Sequence, residues 1–451
     1  MELLDYQKQA LTFINDKDKA MLALDMGLGK TYTGLHWHKN KPVEHTIILC
    51  QATKIDDWYN ECQNVLTDEY SVVKIYSFKD LKDFLKRESG AIEFPNSSAI
   101  LLIMSYGIFT NACKNNPYWF ATTRTWALII DESQVLKGPK SQISKFILKF
   151  KNYCSRILLL SGDPISTAYK DLYVQMRVLG LFNDKYGWWD FERDYCNILT
   201  VPRTNIKMIT GYKNTERLLA LLASVAFFLK SSDAIELPQQ IFQTVEVEKA
   251  PEYNEMMNER LITIDDNTIV SDTPLKLLLN LREITSGFLY DEKHNSYVLN
   301  SFKVDATKKI LEEFESENFV IFYNFTNEFE VLKKMIQKLG KTVLCINGSK
   351  NDWLGLNTVN EHSNTVILIH FQSGARGIDR LQFNFNKQIY FSLPLSGELY
   401  KQSLKRIHRL KQTKDCYYWT LLMNDTIDDK ILNKLKKSQT YTLNMFESNI
   451  G

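Results

Sequence analysis

Asp25-Met-Gly-Leu-Gly-Lys-Thr31 is the stretch from which the rest of the chain can be read. Gly27 and Gly29 carry no Cβ, so the backbone there can approach a phosphate and turn its N–H groups toward the oxygens. Lys30 supplies a point charge for β and γ phosphates, and Thr31 supplies a hydroxyl for magnesium. A helix starting at this point adds its positive N-terminal dipole. The full phosphate-loop pattern, GxxxxGK[ST], is not met, because Leu24 occupies the first glycine position. A glycine-rich turn that precedes Lys-Thr by chance is the plain alternative.

Downstream, Ala127-Leu-Ile-Ile-Asp131-Glu132-Ser-Gln134 is an apolar run ending in two acids. Adjacent carboxylates repel one another, and a bound cation relieves that. Asp131 is suited to hold magnesium through water, and Glu132 to orient and deprotonate an attacking water. A solvated loop start is the bland alternative for any such pair. The upstream loop weighs against it.

Short apolar runs at Thr46–Cys50, Ala99–Ile103, Ala127–Ile130 and Arg156–Leu160 predict buried parallel strands, each followed by a helix-compatible segment. The pattern returns at Phe319–Tyr323, Thr342–Cys345, Thr365–Ile369 and Lys387–Phe391. The expected architecture is therefore α/β, with two units, 1–235 and 236–451, each a parallel sheet flanked by helices. Helical inserts are expected over about Tyr169 to Leu229 and about Tyr253 to Leu289. The greasy run Leu218 to Leu229 is expected as a buried helix, and Ile241 to Val247 as a strand. Trp188 and Trp189 could suggest base stacking, but such residues more often fill a core and are expected to do so in the first insert.

The chain has 451 residues, 55 Lys plus Arg against 53 Asp plus Glu, and hence a formal net charge of only +2. Nucleic acid would bind through a local basic track, because bulk charge gives no pull. Seven scattered Cys form no CxxC pair and no zinc spacing, which fits free thiols in a reducing cytoplasm. No apolar run reaches the roughly 20 residues that span a bilayer, and the N-terminus lacks a signal core. His36, His38 and His408 have no partner at ligand spacing and are expected to be structural or solvated.

With the loop and the acidic pair in register, the chain resembles the superfamily-two helicases. Within them it is most similar to Swi/Snf-type ATPases, including compact phage and bacterial forms, for which host cytoplasm is the expected location. The resemblance implies two RecA-like lobes, ATP and magnesium as ligands, and double-stranded DNA as track, with single-stranded DNA or RNA also open. Leu4-Asp-Tyr-Gln7 is similar to the glutamine motif that reads adenine, which assigns Gln7 to the nucleotide. Cys50-Gln-Ala-Thr53, with Trp58 and Glu61, resembles the motif that touches nucleic-acid phosphates, and Ser105-Tyr106 a family Ser-Tyr pair. Gln51, Thr53, Ser105, Gly348, Gln372 and Ser373 are the implied nucleic-acid contacts. Lys137 and Ser141, after the acids, also fit the family pattern. Leu160-Ser-Gly-Asp-Pro164 resembles the motif coupling hydrolysis to lobe movement, so Ser161, Gly162, Gln134 and Gln402 are implied coupling residues. Phe191–Cys196 and Leu281–Gly287 resemble the family's helical protrusions. Ile321–Phe325 and Ser373–Asp379 fit the fourth and fifth motifs, with Gly377 and Asp379 toward the nucleotide.

Gln402-Ser-Leu-Lys-Arg-Ile-His-Arg409 fits the sixth motif. Arg406 and Arg409 lie three apart, which on a helix puts them on one face, and the resemblance makes them arginine fingers. A solvated basic helix with Lys401, Lys405 and Lys411 is the alternative. Departures from the family pattern are Gln134 for histidine, Asp163 for threonine, Lys405 for a small residue and an RNA-helicase-like Arg376–Asp379. The implied activity is an ATP-driven motor on duplex DNA. A strand-separating helicase and a nucleotide-dependent DNA-binding scaffold remain alternatives.

Overall fold

Eight apolar runs legible in the sequence become strands of two parallel sheets. The computed structural model describes residues 2–437 apart from 68–69, 90–98, 117–118, 121–124, 167, 201–206, 235, 266, 354–362, 375–377 and 379. Internal contacts divide the chain into two units, Met1–Glu236 and Leu237–Gly451.

In the first unit the strands are β1 (Lys19–Leu24), β2 (His45–Cys50), β3 (Tyr70–Ile75), β4 (Ala99–Ser105), β5 (Trp126–Ile130), β6 (Cys154–Ser161), β7 (Cys196–Thr200), β8 (Lys207–Tyr212) and β9 (Ala226–Leu229). Seven form one sheet in the order β3-β4-β2-β5-β6-β1-β9, every pair parallel. β2 and β5 are buried along their whole length because helices cover both faces. Successive residues feed opposite cores: Met21, Ala23, Ile47 and Leu49 enter one, and Leu22, Leu24, Ile48 and Cys50 the other. Helices α1 (Asp5–Asn15) and α2 (Lys30–Asn40) pack on the second face, where the buried Trp37 indole donates to the Ile14 carbonyl at 3.1 Å.

The second unit contributes β10 (Gln240–Val247), β11 (Leu261–Ile264), β12 (Asn267–Val270), β13 (Phe288–Tyr290), β14 (Ser296–Val298), β15 (Phe319–Tyr323), β16 (Thr342–Ile346), β17 (Thr365–His370), β18 (Lys387–Tyr390) and β19 (Cys416–Met423). Its parallel sheet runs β10-β19-β18-β15-β17-β16. Each unit thus has the layered parallel sheet of a RecA-like lobe.

The inserts are less helical than expected. Residues 169–229 hold the helices Leu172–Val178, Trp188–Tyr195 and Thr215–Ala223, but also the antiparallel β7–β8 hairpin. The run expected as one buried helix from Leu218 stops at Ala223, and Ala226–Leu229 is instead β9, paired with β1 through Met21–Leu24. Phe227, Phe228 and Leu229 suit a strand, and the pairing completes the sheet beside the phosphate loop. Residues 253–289 contain most of the helix Pro251–Glu259 and all of Pro274–Thr285, but also the β11–β12 hairpin. Trp188 does stack into the insert's aromatic core, on Phe191 at 5.5 Å, whereas Trp189 is 67% exposed beneath the Lys207 ammonium.

All seven cysteines are buried and unpaired with one another. His38 is buried, and burial lowers its pKa to about 4, so it is neutral; His408 bonds the Pro238 carbonyl at 2.8 Å. Among the described residues no helix is long and apolar enough to cross a membrane, and no cluster of three metal-ligating side chains occurs.

Candidate active site

β1, β6 and β5 lie side by side, and their C-terminal ends bring three expected segments together. Ligands of parallel α/β sheets bind at this edge because strand ends and helix starts meet there. The loop after β1 turns through Gly27 (φ 89°) and Gly29 (φ 76°), left-handed conformations that glycine adopts without strain. Gly29 is the N-cap of α2, so Lys30 and Thr31 begin the helix with its free N–H groups. A Cβ on Gly29 would also stand 2.3 Å from the Gln7 amide nitrogen. That amide is buried and fully engaged: it donates to the Leu28 carbonyl at 3.1 Å and accepts from the Leu4 N–H at 2.9 Å. Gln7 therefore ties α1 to the loop, a role that its assignment to adenine alone did not include.

Lys30 is buried, and its ammonium donates to the Leu24 carbonyl at 3.0 Å. Gly162, just past β6, lies against it, since a Cβ there would meet the Lys30 Nζ at 3.5 Å. The lysine thus touches the third segment as well as the first.

The acidic pair follows β5. Trp58 donates its indole N–H to the Asp131 Oδ2 at 3.0 Å, and the Tyr106 hydroxyl donates to the Asp131 carbonyl. Burial and the Glu132 charge push the Asp131 carboxyl up to about 6, against the pull of the Trp58 bond and Lys30. A carboxylate held at such a cost is suited to a cation, which would restore its ordinary acidity. Glu132 sits at φ 50°, a left-handed conformation costing a non-glycine residue roughly 1–2 kcal/mol. Such outliers persist where surrounding structure fixes them. Here Gln134 does so, donating to the Glu132 Oε2 at 2.8 Å while its own carbonyl oxygen accepts from the Ser161 hydroxyl at 2.8 Å. Ser161 in turn accepts from the Asp163 N–H at 3.1 Å. The chain Glu132–Gln134–Ser161–Asp163 joins the acidic pair to the segment after β6. The neighbouring Ser133 bonds Gln175 at 2.9 Å, and Gln175 donates to the Pro164 carbonyl. Gln175 was not foreseen, because nothing local in its helix marks a partner 42 residues away.

One expected result follows directly. Asp131 has a raised folded pKa, so its ionised form disfavours folding; that cost builds as pH rises from the ordinary carboxylate range to about 6 and is full above it. Asp131→Asn should raise the melting temperature of the nucleotide-free protein at pH 8, by about 2–4 °C per kcal/mol recovered. The gain should shrink as pH falls below 6. Calorimetry at both pH values checks this; no gain at pH 8 would mean the carboxylate carries no such cost.

The expected nucleic-acid residues sit at the same edge of each sheet. Half-buried Gln51 and exposed Thr53 follow β2, and Ser105 ends β4, where its hydroxyl caps the next helix by accepting from the Ile108 N–H at 3.3 Å. In the second unit, exposed Gly348 follows β16, and Gln372 and Ser373 lie in the short helix Phe371–Gly374 after β17. Gly377 and Asp379 lie outside the described residues.

Arg406 and Arg409 do not share a helix face. The helix Gly397–Leu404 ends before both, because the Tyr418 hydroxyl takes the Leu404 carbonyl at 2.7 Å and fully buried Ile407 turns the chain into the core. Arg406 is itself buried and donates to the Ile378 carbonyl; Arg409 is half-buried. Gln402 is buried and donates to Glu398 at 3.2 Å, leaving its carbonyl oxygen unpartnered.

A phosphate loop, an acidic pair at the adjoining strand end and a bonded third segment on a parallel sheet define a phosphate-loop nucleotide-binding lobe. The profile of the SNF2-related domain matches residues 6–288, and the chain belongs to that family. An uncharacterized ATP-dependent helicase of Mycoplasma genitalium is 23% identical over 99% of this chain and 43% of its own length. The DNA annealing helicase and endonuclease ZRANB3 of Bos taurus is 22% identical over 98% of this chain and 40% of its own. The chain thus spans less than half the length of these relatives. The Sulfolobus solfataricus SWI2/SNF2 ATPase core in complex with dsDNA aligns with a TM-score of 0.43 at 19% identity, over 99% of this chain and 92% of that one.

Proposed function

We propose that this chain hydrolyses ATP and uses the cycle to translocate along double-stranded DNA. The observation that carries the reading is the hydrogen-bonded chain from Glu132 through Gln134 to Ser161, which ties a water-activating carboxylate to the segment beside the phosphate loop. The loop N–H groups and Lys30 hold the phosphates. Glu132 takes the proton of the attacking water as its oxygen bonds the γ phosphorus and ADP leaves. Thr31 and Asp131 would hold magnesium, which supplies charge neutralisation at the phosphates when bound. Loss of the γ-phosphate frees Lys30 and the Gln134–Ser161 link to rearrange together. Arg406 and Arg409 are the candidate arginine fingers.

On the track side, Gln51, Thr53, Ser105, Gly348, Gln372 and Ser373 are short and polar or expose backbone. Such groups suit phosphate oxygens, which position a protein and carry no sequence information. The named activities of the relatives, ATP-dependent helicase and DNA annealing helicase, support nucleic acid as the partner. Steady-state ATPase with duplex DNA, single-stranded DNA and RNA tests this. Duplex should stimulate most, with little sequence preference and an affinity that falls steeply with salt. Stimulation by RNA alone, or only by a single strand, contradicts the duplex track.

A further inference from the structure

At the C-terminal edge of the second sheet, one carboxylate gathers three separate segments. Glu328 is 1% exposed and accepts four hydrogen bonds: from the Ser286 hydroxyl at 2.6 Å, the Asn324 N–H at 2.7 Å, the Phe325 N–H at 3.0 Å and the Ser392 hydroxyl at 2.9 Å. Capping of its own helix, Thr326–Lys338, accounts for the Phe325 bond alone. Ser286 belongs to the C-cap of the insert helix Pro274–Thr285, Asn324 follows β15, and Ser392 follows β18. Arg282, one turn back on the insert helix, makes a second tie. Its guanidinium donates to the Leu393 carbonyl at 3.0 Å and lies over the Phe325 ring. The Asn324 side chain donates to Ser392 and to the same Leu393 carbonyl, at 2.8 and 3.1 Å. The Asn324 carbonyl bonds His370 Nε2 at 2.9 Å, two residues before Gln372.

We infer that Glu328, Ser286 and Arg282 are positioning residues that lock the insert helix to the strand ends carrying Gln372–Ser373 on one side and the Gly397–Leu404 helix on the other, so that the insert transmits track binding to ATP turnover. A buried, fully satisfied carboxylate is costly to disturb, so its segments move as one body. From Ser392 and Leu393 the chain runs into the helix that bears Gln402, and past its end to Arg406. From Asn324 a bond reaches His370, two residues before the proposed DNA contacts. None of the three is among the residues proposed to hold nucleotide or track.

The inference rests on the proposed DNA-stimulated ATPase, and its test separates the two. Basal and duplex-stimulated ATPase are measured on the full chain for wild type, Ser286→Ala, Ser286→Thr and Arg282→Gln. Ser286→Ala and Arg282→Gln should leave the basal rate within about twofold and cut the stimulation about tenfold, the size of a typical coupling between sites. Ser286→Thr, which keeps the hydroxyl, should restore it. Basal and stimulated rates falling together, with a lowered melting temperature, would make the cluster merely structural and overturn the inference. So would an unchanged stimulation ratio. A wild-type chain that duplex does not stimulate would instead overturn the function reading, and the inference with it.

Discussion

Lys30→Ala should abolish nucleotide-dependent turnover, and Glu132→Gln should leave ATP bound but not hydrolysed. The two act on different halves of the step. Lys30 is the buried cation at the mouth of the loop, and its ammonium donates to the Leu24 carbonyl. Removing it takes away the charge that holds the β and γ phosphates, so affinity and rate fall together. Glutamine at 132 keeps the side-chain shape and can still meet Gln134, but it cannot take a proton. Loss of a general base costs roughly 10²–10⁴-fold in rate. Fluorescent-nucleotide titration with phosphate-release kinetics separates the outcomes. Full turnover by Glu132→Gln would remove that residue from the chemistry.

Arg406→Ala should lower turnover by roughly three orders of magnitude or more, the effect of removing an arginine finger, with little loss of nucleotide binding. Arg406 also donates to the Ile378 carbonyl, so alanine strips a partner from a backbone group. Arg406→Lys and Arg409→Ala keep the test clean. Lysine retains the charge but not the planar fork, and should still be slow. Arg409 is only half-buried, so its loss should disturb packing less. Single-turnover rates at saturating ATP check all three. Wild-type rates in all three variants would remove both arginines from phosphate stabilisation.

Strands buried on both faces were legible because their apolar runs are continuous: β2, β4, β5 and β6 in the first unit, β15 and β17 in the second. β1 was not, since Lys-Ala-Met-Leu-Ala-Leu lacks β-branched residues, and edge strand β3 was hidden because it is only half-buried for most of its length. β9 was masked by a continuous apolar run with the helix before it. Only pairing with β1, more than 200 residues away in sequence, decides its state. In the site, Lys30, Asp131, Glu132, Gln134 and Ser161 could be read because the motifs place them at strand ends. The Trp58 bond to Asp131 and the Ser286 and Ser392 bonds to Glu328 depend on which elements neighbour which, and that order leaves no local trace. The arginines of the sixth motif were misplaced on a helix because spacing alone cannot register the Tyr418 hydroxyl that ends it.

Displacement of a third strand from a triplex reports ATP-driven movement along duplex DNA without strand separation. The full chain with ATP should release the triplex-forming strand from an otherwise intact duplex, leave a forked duplex paired, and do neither when Glu132 is glutamine. Efficient fork unwinding with no triplex displacement would contradict translocation on duplex DNA and make the chain a strand-separating helicase.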